Sequence, residues 1–361
     1  MTNKKNNITQ IEAELLAVKT LMQLIETKSL SREEENAATI IEDILKQFGY
    51  QINRKGNNIW AYCKDYTDQK ETLMLNSHID TVKPGIGWES DPFEAVLVDG
   101  KLSGLGSNDA GASLVSLLMT FLLSEGTGLS YNRLFVASAE EEISGKGGME
   151  SILPELKNVS AAIIGEPTQM EMAIAEKGLL VLDCEVKGKS GHAARTGGIN
   201  AITEAVKEIE WFHSFEFPQT SKVLGPVKMT VTVINAGKQH NVIPDTCTFV
   251  VDVRTNEKYT NQEAFELIQK NTKAKVKPRS LRLNSSGIAN DHPLVIAAKK
   301  LDIVTFGSPT TSDQSVITQF PTIKMGPGDS NRSHTANEYI MVDEIKDGIT
   351  AYTKLLNALV W

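Results

Sequence analysis

Hydrophobic residues near the start of the chain recur every three or four positions, at Ile11, Leu15, Val18, Met22 and Ile25. This spacing predicts a helix with one apolar face. The string Ser31-Arg32-Glu33-Glu34 has the form of a capping box and predicts a second helix, which should end at Gly49. The chain is therefore expected to begin with two amphipathic helices.

Short runs of β-branched and apolar residues follow, and helical patterns separate them. They predict strands over residues 58–62, 72–76, 133–139 and 161–164, a hairpin turn at Asp99-Gly100 and helices over residues 110–123 and 342–360. Strands that alternate with helices indicate a mostly parallel sheet with helices on both faces. We therefore predict an α/β domain formed by residues 1–177 and 288–361.

The pattern changes near Gly178. Between residues 178 and 287 the order of elements becomes βαββαβ, which is typical of a small α+β sandwich. Strands are expected over residues 179–186, 227–234, 246–254 and 279–283, and helices over residues 200–214 and 261–270. Residues 178–287 are thus predicted to form a second domain inserted into the first.

Composition and charge exclude several classes of protein. The 361 residues carry 37 Lys and Arg against 45 Asp and Glu, a net charge of −8, which argues against a nucleic-acid-binding surface. The longest apolar run, residues 110–123, is too short to span a membrane. The start of the chain lacks the apolar core of a signal peptide, and three widely spaced cysteines indicate reduced packing residues. We expect a cytoplasmic protein with no nucleic-acid or membrane partner.

Histidine and carboxylate side chains follow the predicted strands where those strands end. His78 and Asp80 follow one strand, and Glu140-Glu141-Glu142 and Glu166 follow the next two. Parallel strands end together at one edge of a sheet, where α/β proteins bind their ligands. Carboxylates crowded at that edge would repel one another unless cations neutralise them.

Two further segments add to this set. Asp109 lies in a glycine-rich loop before a predicted helix, and His334 lies in the glycine-rich segment 326–338. Taken singly, Asp109 could be a helix N-cap and the three glutamates a solvated run of charge. Two imidazoles that share carboxylates suit zinc, or cobalt in its place, better than magnesium. Together these residues predict a metal centre.

These motifs resemble those of the M20 family of metallopeptidases and deacylases, most closely its acetylornithine deacetylase branch. The matching segments occur in the family's order and spacing and cover nearly the whole chain: Ser77-His78-Ile79-Asp80-Thr81-Val82, the Asp109 loop, Glu140-Glu141-Glu142, Gly165-Glu166-Pro167-Thr168, Ser190-Gly191-His192-Ala193-Ala194 and residues 326–338. The chain departs from the pattern at Gly111, where many relatives carry Lys.

The resemblance implies the fold of a zinc-dependent exopeptidase with two zinc ions per subunit, for which cobalt could substitute. One ion would be held by His78 and Glu166 and the other by Glu142 and His334, with Asp109 bridging the two. The discontinuous domain would be catalytic, and the inserted domain would serve as a lid and form a homodimer.

The resemblance also implies roles in proton transfer and substrate binding. Glu141 would be the general base, and Asp80 would orient the metal ligand His78. His192 would reach into the partner subunit's site to hold the oxyanion, and Asn241 and Arg254 would bind the substrate's α-carboxylate. From the residues alone, His192 could equally be an exposed loop histidine and Arg254 part of a surface salt bridge.

The predicted function is the removal of the acyl group from an N2-acyl amino acid. N2-acetyl-L-ornithine or N2-succinyl-L-ornithine is the favoured substrate, and the product would be ornithine in arginine biosynthesis. A dipeptidase or aminoacylase of the same family is an alternative. From a different class, a non-catalytic metal-binding protein on a hydrolase fold is disfavoured, because all presumed ligands and the base are present.

Overall fold

The computed structural model describes residues 8–361 and divides into two compact units. Unit 2 comprises Ala175–Gly287 and Gly307–Thr311, so it includes a short segment beyond the predicted insertion, and unit 1 comprises the remainder. Residues 1–7, which contribute to the prediction that a signal peptide is absent, lie outside the described residues.

The described residues form eight α-helices and eighteen strands. The helices are α1 (Gln10–Glu26), α2 (Glu35–Gln47), α3 (Ala112–Leu123), α4 (Met149–Ile152), α5 (Ala201–Ser214), α6 (Asn261–Asn271), α7 (Pro293–Lys300) and α8 (Val342–Ala358). The strands are β1 (Ile52–Lys55), β2 (Asn58–Tyr62), β3 (Thr72–His78), β4 (Val96–Val98), β5 (Lys101–Ser103), β6 (Asn132–Ser138), β7 (Val159–Ile164), β8 (Met172–Glu176), β9 (Gly178–Lys187), β10 (Gly191–His192), β11 (Lys228–Ala236), β12 (Val242–Ile243), β13 (Thr246–Thr255), β14 (Lys275–Pro278), β15 (Ser286–Gly287), β16 (Thr305–Ser308), β17 (Thr322–Lys324) and β18 (Tyr339–Met341).

Unit 1 is built around a sheet in which β1, β2, β6, β3, β7, β17 and β8 are neighbours in that order. β3 pairs in parallel with β6 and β7, and β7 pairs in parallel with β17. Successive residues of β3 pack on opposite faces, with Leu73 and Leu75 in the cluster that includes α1, α3 and α8, and Met74 in the cluster that includes α4. The predicted α/β fold with a mostly parallel sheet is confirmed.

Helix α3 is the most apolar helix of unit 1. Eleven of its 12 residues are buried, and it packs against α1, α8 and β3. An all-round apolar helix of this length belongs in the interior of a globular protein. Within residues 8–361, no helix is long and apolar enough to cross a membrane.

The predicted capping box before α2 is wrong. The helix begins at Glu35, and the Oγ of Ser31 instead donates to Oδ2 of Asp80 at 2.7 Å. The carboxylate of Glu34 accepts hydrogen bonds from the main-chain N–H groups of Arg32 and Glu140. The side chains of Ser31 and Glu34 therefore do not cap α2, and they connect this segment to Asp80 and to Glu140.

Unit 2 is an α+β sandwich. Its antiparallel sheet has the order β11, β13, β9, β14, and alternate residues of β9 and β13 are buried in one cluster with residues of α5 and α6. The strand predicted over residues 279–283 is wrong, because the last strand is β14, at Lys275–Pro278. Residue Leu283 lies in a loop, where its carbonyl oxygen accepts hydrogen bonds from the Leu179 N–H and the Asn261 side chain. The three cysteines of the chain are free and buried.

Candidate metal centre

Three parallel strands bring the candidate ligands to one edge of the unit 1 sheet. β3 ends at His78, which is paired in register with Ser138, the last residue of β6. The glutamates Glu140–Glu142 therefore begin just beyond the point where β3 ends. β7 ends at Ile164, two residues before Glu166. This edge is where open α/β sheets place their functional groups.

The carboxylate of Asp109 lies between two histidines. Its Oδ1 is 3.3 Å from Nε2 of His78, and its Oδ2 is 3.5 Å from Nε2 of His334. The same nitrogen of His334 is 2.9 Å from Oε2 of Glu142. Two groups of three potential ligands result, each with its ligand atoms within 4.8 Å of one another, and Asp109 belongs to both: His78, Asp109 and Glu166, and Asp109, Glu142 and His334.

This donor set fits a pair of divalent cations. Two atoms that each lie about 2.0–2.2 Å from one ion are at most about 4.4 Å apart. The distances from the Asp109 carboxylate to His78 and His334, and from His334 to Glu142, are all shorter than that. Imidazole nitrogens combined with carboxylate oxygens are typical of zinc and related transition metals. Since Asp109 offers one oxygen to each group, it is suited to bridge two ions.

Desolvation and crowding shift the pKa values of the candidate ligands. Burial, reinforced by the charge of Asp109, raises the pKa of Glu166 to about 8, and burial also raises the pKa of Glu142. The hydrogen bond with Glu142 raises the pKa of His334 to about 9. A divalent cation in each group would relieve the repulsion among these carboxylates.

The three consecutive glutamates have different surroundings. Glu140 accepts a hydrogen bond from the Gly147 N–H at 3.3 Å and lies 3.9 Å from the guanidinium of Arg32. Glu142 belongs to the second ligand group. Glu141 is in neither group but is partly buried, and desolvation together with the nearby charge of Glu166 raises its pKa well above the ordinary value. Only one of the three glutamates thus lies among the candidate ligands.

Asp80 contacts both His78 and the glutamate segment. Nδ1 of His78 is 2.9 Å from the main-chain carbonyl oxygen of Asp80 and 3.5 Å from its Oδ1. The Asp80 carboxylate accepts hydrogen bonds from the main-chain N–H groups of Glu141 at 3.0 Å and Glu142 at 3.1 Å. The nearer partner of the histidine is therefore the main chain of Asp80, and its carboxylate holds the loop after β6 in place.

One buried carboxylate at this site is not among the residues predicted from the sequence. Glu338 accepts hydrogen bonds from the main-chain N–H groups of Gly106, Asn108 and Asp109. Desolvation by burial raises its pKa to about 7. The one sequence signal for Glu338 is its place in the segment 326–338, four residues after His334. Glutamate side chains are seldom buried, so its burial could not be expected from the sequence.

A glycine allows the loop before His334 to approach the Asp109 loop. Gly328 has φ +91°, and a Cβ there would lie 2.3 Å from Oδ1 of Asn108. That Oδ1 accepts a hydrogen bond from the Asp329 N–H at 3.0 Å, and Nδ2 of Asn108 donates to the Asp329 carbonyl at 3.1 Å. A side chain at position 328 would therefore push apart the two loops that carry Asp109 and His334.

The remaining predicted residues lie in unit 2. His192 is the last residue of β10, and the Ala193 N–H donates to the main-chain carbonyl of Asn241 at 3.0 Å, so His192 and Asn241 are on neighbouring segments with exposed side chains. Arg254, in β13, donates to both carboxylate oxygens of Asp252, at 2.8 and 3.0 Å, and to Oγ1 of Thr311 at 3.2 Å. The planar guanidinium of Arg254 is therefore already paired with a carboxylate.

The family model described as Peptidase family M20/M25/M40 matches residues 74–358, the segment that contains every candidate ligand. The chain belongs to this family. This M20 protein is 27% identical to the [LysW]-lysine/[LysW]-ornithine hydrolase of Sulfurisphaera tokodaii over 97% of this chain and 98% of that protein. It is 24% identical to the succinyl-diaminopimelate desuccinylase of Aliarcobacter butzleri over 71% of this chain and 73% of that protein.

A solved structure shares the fold of this M20 chain. The YXEP protein of Bacillus subtilis, described as a dinuclear metal binding peptidase from the M20 family, has a TM-score of 0.74 and 18% identity, with 95% of this chain and 97% of that chain covered. The predicted family and the general class, a metal-dependent hydrolase, are thus confirmed.

Proposed function

We propose that this chain removes the acyl group from the amino nitrogen of an N-acyl amino acid, with N2-acetyl-L-ornithine and N2-succinyl-L-ornithine as the first substrates to test. The observation that carries the proposal is the position of the Asp109 carboxylate between His78 and His334. One relative is a hydrolase named for lysine and ornithine, and another is a desuccinylase, which supports the acyl amino acid class. Release of ornithine would place the enzyme in arginine biosynthesis, and a cytoplasmic location is part of the proposal.

The two ligand groups would each hold one cation, zinc or cobalt. His78 and Glu166 would hold the first, Glu142 and His334 the second, and Asp109 would be shared. When bound, such cations would polarise the amide carbonyl and make a water molecule more acidic.

Glu141 would move the proton. It is outside both ligand groups, and the Asp80 carboxylate holds its main-chain N–H at 3.0 Å. With its main chain held there, the Glu141 carboxylate would accept a proton from the attacking water and deliver it to the leaving amine. Asp80 would act through position, because its contacts are with the main chain of Glu141 and Glu142 and with His78.

Unit 2 would supply the contacts to the substrate and the homodimer. The exposed side chain of His192 is available to hold the oxyanion in the site of a partner subunit. Arg254 would bind the substrate's carboxylate in exchange for Asp252, and Asn241 would assist it. The edge strand β11 supports a dimer, since Val233 and Ile234 on it are half exposed.

A dipeptidase or aminoacylase activity is the second candidate. The observation that favours it is the shared fold with the YXEP protein, which is described as a peptidase. The same ligand groups and the same base would serve, because a peptide bond and an N-acyl amino acid are both amides.

The substrate panel that separates these candidates uses protein reconstituted with zinc and, separately, with cobalt. We would compare kcat/KM for N2-acetylornithine, N2-succinylornithine, N2-acetylcitrulline and a plain dipeptide. A preference of at least about tenfold for one acylornithine is expected from a site that hydrogen-bonds the amine side chain. Comparable rates on the dipeptide would favour the second candidate. No hydrolysis of any of the four by protein that carries two cations would contradict the proposed function.

A further inference from the structure

Three main-chain N–H groups of the loop that carries Asp109 donate to one carboxylate, that of Glu338. Oε1 of Glu338 accepts hydrogen bonds from the N–H groups of Asn108 at 2.8 Å and Asp109 at 2.9 Å, and Oε2 accepts one from Gly106 at 3.1 Å. The carbonyl oxygen of Glu338 also accepts a hydrogen bond from the Gly104 N–H at 3.0 Å. Four hydrogen bonds therefore join this one residue to the segment 104–109.

The carboxylate of Glu338 is in the interior of unit 1, with only 2% of the residue exposed. A carboxyl group has two oxygens with lone pairs, so one Glu side chain can accept hydrogen bonds from several main-chain N–H groups. An acceptor that binds several neighbouring N–H groups at once also restricts the main chain between them. The main-chain nitrogens of Asn108 and Asp109, which are adjacent in the chain, are thereby both fixed.

Glu338 also connects this loop to the segment that carries His334. It is four residues beyond His334 and directly precedes β18, which pairs antiparallel with β5. The Asn108 side chain makes a second connection, through its hydrogen bonds with the main chain of Asp329 and with Oγ of Ser333. The segments that carry Asp109 and His334 are thus linked on either side of His334.

We propose that Glu338 is a positioning residue for the metal centre. By fixing the main chain at Asp109 it directs one oxygen of that carboxylate toward His78 and the other toward His334. Glu338 itself belongs to neither ligand group, so it acts through Asp109. Because Asp109 belongs to both groups, loss of Glu338 weakens both cation sites together, whereas loss of a ligand such as Glu142 weakens mainly one. This inference rests on the proposed ligand set.

Glu338→Gln is the informative variant, because it keeps the size of the side chain but replaces one of the two acceptor oxygens by an NH2 group, which cannot accept a hydrogen bond from the N–H groups of this loop. Glu344→Gln is the matched control. Glu344 also accepts a main-chain hydrogen bond, from Met341 at 2.9 Å, and one from Arg332 at 2.7 Å, but its described hydrogen bonds do not reach the Asp109 loop. The control therefore reports any general loss of stability in the same part of the chain.

Metal-free protein would be titrated with Co²⁺, with binding followed by the visible absorption bands and by calorimetry, and thermal unfolding would be recorded without metal. We expect two equivalents to bind to the unchanged protein and to Glu344→Gln. In Glu338→Gln both equivalents should bind about 10–100-fold more weakly, as is typical when a residue that orients a ligand is lost, and the absorption bands should change shape. Glu142→Gln should lose mainly one equivalent.

Unchanged affinities and bands in Glu338→Gln would overturn the inference, and so would weakening confined to one equivalent. If Glu338→Gln does not fold, Glu338→Asp replaces it, because it keeps the charge and shortens the reach by one methylene. Simultaneous, smaller weakening of both equivalents is then expected, and unchanged binding would overturn the inference. Failure of the unchanged protein to bind two equivalents would contradict the proposed ligand set instead.

Discussion

The two units hold their candidate functional residues in different ways. In unit 1, His78 and Asp80 are 2% and 1% exposed, and hydrogen bonds to the main chain fix them and their neighbours. In unit 2, His192 and Asn241 are exposed, and Arg254 is paired with Asp252. Ligands for a cation must be positioned before it binds, whereas groups that hold a substrate exchange water or another partner for it. Changes to the candidate ligands of unit 1 and to the groups that fix them should therefore alter cation binding, and changes to His192, Asn241 or Arg254 in unit 2 should alter turnover with the cations retained.

The largest effect is expected for Asp109→Asn. The substitution keeps the shape of the side chain but removes the charge that both ligand groups share, so both cations should be lost together. Hydrolysis should fall by more than about 10⁴-fold, the upper end of what loss of a general base alone costs. Metal analysis of the purified variant, alongside kcat/KM, checks this. Retention of two tightly bound cations would contradict the bridging position.

Glu141→Gln should separate chemistry from cation binding within unit 1. We expect kcat to fall by about 10²–10⁴-fold with the metal content unchanged, because Glu141 lies outside both ligand groups. Glu140→Gln is the matched control, since Glu140 contacts Gly147 and Arg32 instead, and it should keep most of its activity. A larger loss in Glu140→Gln than in Glu141→Gln would move the base by one residue.

His192→Ala tests the contribution of unit 2. With no donor for the oxyanion, kcat should fall by about 10²–10³-fold while both cations stay bound. If His192 acts across a homodimer, mixing this variant with Glu141→Gln under conditions of subunit exchange should restore activity. A mixed dimer has one intact site, so about a quarter of the unchanged activity is expected at equal amounts.

Mixed samples that stay inactive, although sedimentation shows that subunits have exchanged, would place His192 in the site of its own subunit. A loss of cations in His192→Ala would contradict the division of roles between the two units.

The smallest effect is expected for Arg254→Lys. Lysine keeps the charge but cannot bind a carboxylate through two parallel hydrogen bonds, so KM should rise by about tenfold with kcat little changed. Steady-state kinetics on the best substrate of the panel measure this. Asp252→Asn is the companion variant, because it frees Arg254 from its partner and should not raise KM. An unchanged KM in Arg254→Lys would leave Arg254 with a structural salt bridge only.

Features with a local signal were predictable from the sequence. The apolar run of α3, the hairpin at Asp99-Gly100 and the ends of β3, β6 and β7 all depend on residues close together in the chain. Three of the five candidate ligands, His78, Glu142 and Glu166, lie at or just beyond those strand ends, because parallel strands finish at a common edge. The sequence therefore predicts a common edge for His78 and Glu166, whereas their assignment to one cation comes from the family resemblance.

Features that depend on distant partners were not predictable. Ser31 binds Asp80, 49 residues away, which no pattern around α2 reveals. Glu338 binds N–H groups more than 200 residues earlier in the chain. The residues around Glu338 in the sequence have the pattern of a surface turn before a short strand. The last strand of the unit 2 sheet is predicted at residues 279–283 rather than at β14. Only Val276 is buried in β14, whereas the leucines that suggest a strand lie in the loop that follows it.

The shared position of Asp109 also bears on the order in which the site is completed during protein synthesis. All three members of the first ligand group are made before unit 2, the last of them being Glu166. His334 and Glu338 are made after unit 2, when well over a hundred further residues have left the ribosome. A nascent chain thus contains the residues of one half of the centre long before those of the other. Until the second histidine emerges, Asp109 has a partner on one side alone.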